Sequence, residues 1–270
     1  IQAAKCYGLH HLGAIAPGYQ ADFVVLDNLS DMNVLEVYHR GKKIIKDEKV
    51  EIRPCDPQLK NTVHLLGFRE SDLCLPWREG KVHILKMLEG QIVTEDVQEE
   101  VGYTEEKGRK VFKPDGTYQK IAAVERHKNT GKIGVGIVKG FGLRGGAIAS
   151  SVSHDSHNLI VIGDNDHDMY LAVQELLRTQ GGYTLVENGQ VFDTLPLPIM
   201  GLMSDAGYEK VNEKLARMIP KAHEMGIPEG FDPFITLSFM ALPVIPEIRI
   251  TPRGVYLTQE DRMIQSPFDR

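Results

Sequence analysis

The 270-residue sequence predicts a mixed α/β (α+β) fold in two parts, and three observations carry that expectation. Short apolar runs that read as buried strands recur along the chain, at Phe23 to Leu26, Ile121 to Val124, Ala147 to Val152 and Leu159 to Ile162. Helical periodicity is confined to a few stretches. Met169, Ala172, Val173, Leu176 and Leu177 share one face over 169–178, and a longer helix is expected from Asp205 to Met225, capped by Ser204 and bent at Pro220. The run RPCDP at 53–57 has linker character and divides 1–53 from 54–270.

Taken in order, residues 1–12 allow one or two helical turns closing at Gly8 or Gly13. Pro17 and Gly18 make a turn before the Phe23 strand. Strands at Val34 to His39 and Lys43 to Lys46, joined at Arg40 and Gly41, complete a small antiparallel sheet, too short to bury a core alone. Beyond the linker, Val82 to Thr94 alternates as two strands about Glu89 and Gly90. In KPDGT, Pro114 presets one backbone angle and Gly116 supplies a positive one. The 121–124 strand runs into Glu125, Arg126 and His127. Gly181 and Gly182 stop the 169–178 helix, and YTLVENGQVF reads as a hairpin turning at Asn188 and Gly189. The last third, with prolines at 228, 233, 243, 246 and 252, is expected to be extended and irregular.

Composition narrows the function. A hydrophobic fraction of 42% and a charged fraction of 25% are those of an ordinary globular protein. The net charge of -6 argues against a nucleic-acid-binding face and favours small-molecule chemistry. No apolar run has the length of a membrane span, and no leader is visible. Cys6, Cys55 and Cys74 form no C-x-x-C pair and are expected to be reduced thiols in a cytoplasmic protein.

The stretch from Gly134 to Asp168 is densest in chemistry. Its glycines at 134, 136, 140, 142, 145 and 146 permit sharp turns or close approach to a ligand. Ser153, His154, Asp155, Ser156, His157 and Asn158 then set six polar side chains between two apolar runs, which places them on a loop at the end of a sheet.

Two sets of residues resemble known families. AAKCYGLHHLGAIAPGYQADFVVLD followed by VYHRGKKI is similar to the segment that closes the catalytic barrel of the amidohydrolase superfamily and returns to its small β-sandwich. ERHKNTGKIGVGIVKGFGLRGGAIASSVSHDSHNLIVIGDNDHDM, LPLPIMGLMSD and LPVIPEIRITPRGVYL resemble the C-terminal domain of bacterial and archaeal adenine deaminases. Gly145 departs from that pattern, which leads one to expect a basic or polar residue there. The resemblance implies strands of the small β-sandwich in 1–53 and a mixed α/β C-terminal domain in 54–270, without the barrel. It implies a hydrolase that converts adenine and water to hypoxanthine and ammonia with a divalent metal, manganese or iron. Metal-activated water and side-chain proton shuttles are the chemistry such a reaction needs. The superfamily's metal ligands begin with an H-x-H pair, which this sequence lacks. The metal site is therefore expected in a missing N-terminal barrel, with no ligands in this chain and no deamination by it alone. A homodimer is expected, with neither nucleic acid nor membrane as partner.

Within this frame His154 and Asp155 are the candidates to orient substrate or water, with His157, Asn158, Arg126 and His127 close to substrate. Asp, Asn and His can match a purine's ring nitrogens and exocyclic amine, or hold a metal. The competing reading is a polar loop that satisfies its own backbone. A paired Glu125 and Arg126 is more often a structural ion pair than catalytic machinery. Asp164, Asp166, Asp168 and Glu175 imitate a calcium loop, but Met169 stands where its glycine belongs, so helix capping is the better account. A non-catalytic assembly module is the main alternative. A further one is a dinucleotide site, with Gly140, Gly142 and Gly145 as its fingerprint and Asp164 as its ribose acid; it requires a helix over 146–158.

Overall fold

The computed structural model describes residues 1–44 and 54–269. The chain divides into two compact units, Ile1–Arg53 and Pro54–Arg270.

In the first unit, helix α1 (Gln2–Cys6) precedes an antiparallel sheet of β1 (Phe23–Leu26), β2 (Val34–His39) and β3 (Lys42–Ile44), in that order. The β2–β3 turn uses Arg40 and Gly41, both at positive φ, as a two-residue hairpin needs. The Asp22 carboxylate supports it by accepting from Arg40 N at 2.7 Å. Cross-strand partners Phe23 and Tyr38 stack at 4.6 Å. The third strand starts one residue before the expected Lys43. Its expected end at Lys46, and Arg53 of the linker, lie outside the described residues.

The second unit is built on an eight-stranded sheet. Its strands are β4 (Val82–Met87), β5 (Thr94–Glu99), β8 (Tyr118–Val124), β9 (Ile133–Lys139), β10 (Gly146–Ser150), β11 (Leu159–Gly163), β12 (Gly182–Glu187) and β13 (Gln190–Pro196). A separate hairpin of β6 (Tyr103–Glu106) and β7 (Arg109–Phe112) falls between β5 and β8. The sheet order is β13-β12-β10-β11-β8-β9-β4-β5. Every neighbouring pair is antiparallel except β4 and β9.

The sheet is apolar on both faces, and the period of two along each strand sorts residues between two cores. Leu159, Val161, Ala147 and Ala149 join Met169, Ala172, Val173 and Leu176 of α2 (Asp166–Thr179) on one face. Ile160, Ile162 and Ile148 join Met218 and Ala222 of α3 (Tyr208–Glu224) and Phe234 and Leu237 of α4 (Pro233–Phe239) on the other. The sheet of β14 (Ile248–Thr251), β15 (Gly254–Leu257) and β16 (Arg262–Ile264) packs on that same face, through Ile248, Ile250, Val255 and Ile264. Burial of this kind is the main stabilising term, at about 25 cal/mol per Å² of apolar surface.

Four expectations are corrected. The long helix begins at Tyr208 with Gly207 as its cap; the Ser204 hydroxyl accepts from Ala206 N at 3.1 Å, before the helix starts. Strand β10 ends at Ser150, short of Val152, because the Ser150 hydroxyl accepts from Val152 N at 2.9 Å and turns the chain. The last third is ordered into α4 and three strands. Asp232 caps α4 by accepting from Phe234 N and Ile235 N, with Pro233 at its first position, so this proline starts a helix.

The dinucleotide alternative is the fourth. Gly146–Ser150 is a strand, so no helix follows the glycine loop. Gly142 has φ +80, and a Cβ there would stand 2.5 Å from the Gly226 carbonyl; the glycine lets two chain segments cross. The Asp164 carboxylate accepts from Gly145 N at 2.5 Å and Gly146 N at 3.0 Å, which ties the loop internally.

Candidate functional site

The six polar residues from 153 to 158 connect β10 to β11 at one end of the sheet, where the sequence places them. Arg126 and His127 follow β8 at the same end, because Leu159 pairs with Val124 in register. His154, His157, Asn158, Arg126 and His127 are therefore brought together.

Arg126 is the centre of the arrangement, and it is 1% exposed. Its Nε donates to the His157 carbonyl. One terminal nitrogen donates to the Thr62 carbonyl at 2.9 Å and the Thr62 hydroxyl at 3.1 Å, and the other to the Met200 carbonyl at 2.9 Å. No carboxylate partners it among the described residues. Burial lowers its pKa to about 10, which still leaves it charged at neutral pH. Glu125, beside it in sequence, does not pair with it. That carboxylate instead accepts from the backbone of His127, Lys128 and Thr130 and from the Thr130 hydroxyl.

His157 has φ 50, in the left-handed region, and its amide donates to the Ser153 carbonyl at 2.5 Å. Burial, followed by the Arg126 charge, lowers its pKa, so the imidazole is neutral near pH 7. The His157 Nδ1 and the hydroxyl of buried Ser153 have no partner among the described residues. His154 is held from the other side: its amide donates to the Ser238 carbonyl at 3.1 Å and its ring packs on Phe239 at 4.7 Å. The His154 and His157 rings stand 6.3 Å apart, edge to face. His127 Nε2 lies 2.8 Å from the Ser156 carbonyl. Asn158 is buried, its Oδ1 3.4 Å from Arg126 N, whereas Asp155 is exposed. Both ends of the loop are thus fixed by neighbours; Asp155 and Ser156 are exposed, and His154 and His157 are partly exposed.

Sequence reasoning missed Thr62, Met200, Gly201 and Phe239. Gly201 makes room for Arg126, since a Cβ there would come within 2.9 Å of the guanidinium. Its positive φ is the one local signal, in the run LPLPIMGLMSD. The largest of the three cavities described, about 990 Å³, lies at the other end of β8 and β11 and is lined by Cys74, Arg109, Lys120, Asp164, Asp166 and His167, among others. Its buried charges are already paired, Lys120 with Asp166 and Asp164 with the glycine loop. None of the candidate loop residues lines it or either of the two other cavities described.

No cluster of three or more His, Cys, Asp or Glu that could hold a metal occurs among the described residues. The described residues therefore supply no ligand set for a metal. Asp166 and Asp168 sit in the first turn of α2, which Asn165 caps by accepting from Asp168 N at 2.8 Å. No helix among the described residues is long and apolar enough to cross a membrane.

The fold and the loop define a mixed α/β module in which no sheet among the described residues closes as a barrel, and which presents a braced polar loop at one sheet end. Residues 91–262 match the adenine deaminase C-terminal domain, and residues 1–44 match the amidohydrolase family. The chain belongs to the adenine deaminase C-terminal domain family. It is 51% identical over 265 residues to an adenine deaminase of Desulfitobacterium hafniense (strain Y51), covering 98% of this chain and 46% of that protein. It is 43% identical over 263 residues to an adenine deaminase of Clostridium acetobutylicum, and 39% identical over 266 residues to one of Bacillus subtilis (strain 168). Each of these alignments covers 95% of this chain and 45% of the relative. The chain thus spans just under half the length of these relatives.

Proposed function

We propose that this chain is the C-terminal portion of an adenine deaminase, a cytoplasmic enzyme of purine metabolism and salvage that converts adenine and water to hypoxanthine and ammonia. The observation that carries the reading is the braced 153–158 loop, which offers His154, Asp155 and His157 on a domain where they line none of the described cavities. Groups held in place without a cavity of their own are suited to a pocket completed by another part of the protein. In the proposed enzyme that part is the N-terminal barrel. A divalent metal there, manganese or iron, would supply hydroxide near neutral pH. His154 and Asp155 would orient the base or the water, and His157 and Asn158, with Arg126 and His127 behind them, would shape the wall. Residues 1–53 would be the end of the barrel segment and strands of the small β-sandwich, and 54–270 the deaminase C-terminal domain. The enzyme would be a homodimer.

A full-length protein carrying His154→Ala or Asp155→Ala should lose about 10- to 100-fold in kcat/KM for adenine, the scale of a lost positioning contact. The 270-residue chain alone should release no ammonia from adenine. Unchanged turnover in both variants would reduce the loop to scaffolding.

A second reading, an assembly module that never touches substrate, is favoured by one feature. Leu59, Met200 and Met203 are exposed apolar side chains, and Met200 accepts from Arg126 and donates to Leu59 through its backbone. Truncating the full-length protein near Cys55 separates the two: a soluble, fully active remainder supports assembly only.

A further inference from the structure

We propose that Arg126 is the positioning residue of the 153–158 loop, fixing its orientation by holding the backbone of His157, Thr62 and Met200 at once. The inference rests on the proposed reading that this loop serves substrate. The geometry is specific to arginine. Its planar fork makes four hydrogen bonds to three chain segments far apart in sequence, whereas the ammonium of a lysine is a single point. Gly201 and Ser151 form the seat behind it: a Cβ on Gly201 would meet the guanidinium, and the Ser151 hydroxyl donates to the Gly201 carbonyl at 2.5 Å.

The charge has a separate consequence. Backbone carbonyls satisfy the guanidinium without cancelling its charge, so a buried positive centre remains beside the loop. The groups that act on His157 are Arg126 and His127 from the end of β8 and His154 and Asp155 from the loop itself. After burial, Arg126 is the strongest of the influences holding its imidazole neutral. A neutral imidazole has one donor and one acceptor and can match a heterocycle that offers both, whereas the cation can only donate.

Three variants of the full-length protein test this, each through KM, kcat and the pH profile of kcat/KM with adenine. Arg126→Lys keeps the charge and loses the fork; kcat/KM should fall about tenfold with the acid limb of the profile in place. Arg126→Gln removes the charge as well, so His157 becomes easier to protonate and the acid limb should move roughly half a pH unit or more toward neutrality. Arg249→Lys is the structural control. Arg249 is equally buried and donates to the Ile92, Pro246 and Ile248 carbonyls and the Thr94 hydroxyl, with no bond to the loop. It should lose thermal stability comparably and keep wild-type kinetics. An acid limb that stays put in Arg126→Gln, or kinetic losses in Arg249→Lys matching those of Arg126→Lys, would overturn the proposal. If His154→Ala and Asp155→Ala are also silent, the underlying functional reading fails; if they are impaired, only the role of Arg126 does.

Discussion

Glu125 and Arg126 are adjacent and oppositely charged, yet each is satisfied by backbone and neither by the other. Successive side chains of an extended chain point to opposite sides, so neighbours at a strand end rarely meet. Burial alone would raise the Glu125 carboxyl, but hydrogen bonds from Thr130, Lys128 and His127 outweigh it and bring its pKa from 4.5 to about 2. A depressed carboxylate stabilises the folded state above its unfolded pKa, and that contribution disappears as pH falls through the folded value. Glu125→Gln should therefore cost about 1–2 kcal/mol at pH 7, with allowance for partial exposure. The deficit should shrink between pH 4.5 and 2. Urea unfolding at several pH values measures it, and a deficit independent of pH would show that the turn depends on shape and not on the charge.

At the scale of elements, the glycine-rich stretch is a crossing point between chain segments. Gly142 and Gly226 each leave only 2.5 Å between the other's carbonyl oxygen and a Cβ, and Gly146 leaves 2.0 Å to the Val186 carbonyl. Gly142→Ala adds that collision to a positive φ and should destabilise by about 2–3 kcal/mol. Gly189→Ala, at φ +78 in open space, bears only the backbone term and should cost about 1 kcal/mol. Equal losses in thermal or urea unfolding would contradict the crossing argument. The same comparison explains what was legible. Strands β10 and β11, helix α2 and the Asn188–Gly189 hairpin carry their signal within a few residues, as apolar runs, periodicity or a turn pair. The β6–β7 hairpin was not anticipated: its strands are highly charged, and its pairing is backed by Trp77, which packs on Tyr103 at 4.6 Å. At the site, the position of the polar loop follows from the flanking strands. The grip of Arg126 could not be read, since its partners lie 31, 64 and 74 residues away.

Across the whole molecule, the two units differ in how completely each buries its own apolar surface. The eight-stranded sheet is covered on both faces from within residues 54–270, by α2 on one side and by α3, α4 and the 248–264 strands on the other. Among its own described residues the small sheet has no such cover: Val24, Val34 and Leu35 are each more than half exposed, at 51%, 56% and 64%. A three-stranded sheet in that state gains little from burial and contributes little to cooperative stability. Residues 54–270 expressed alone should therefore unfold in one transition with the urea midpoint of the 270-residue chain. The apolar strands of the first unit should raise the binding of a hydrophobic dye by the longer chain. Association with the remaining half of a full-length relative should then quench that dye signal while leaving the midpoint of 54–270 in place. A large drop in midpoint on removing 1–53 would mean that the C-terminal unit draws stability from the first. The description of 54–270 as a self-sufficient body would then fail.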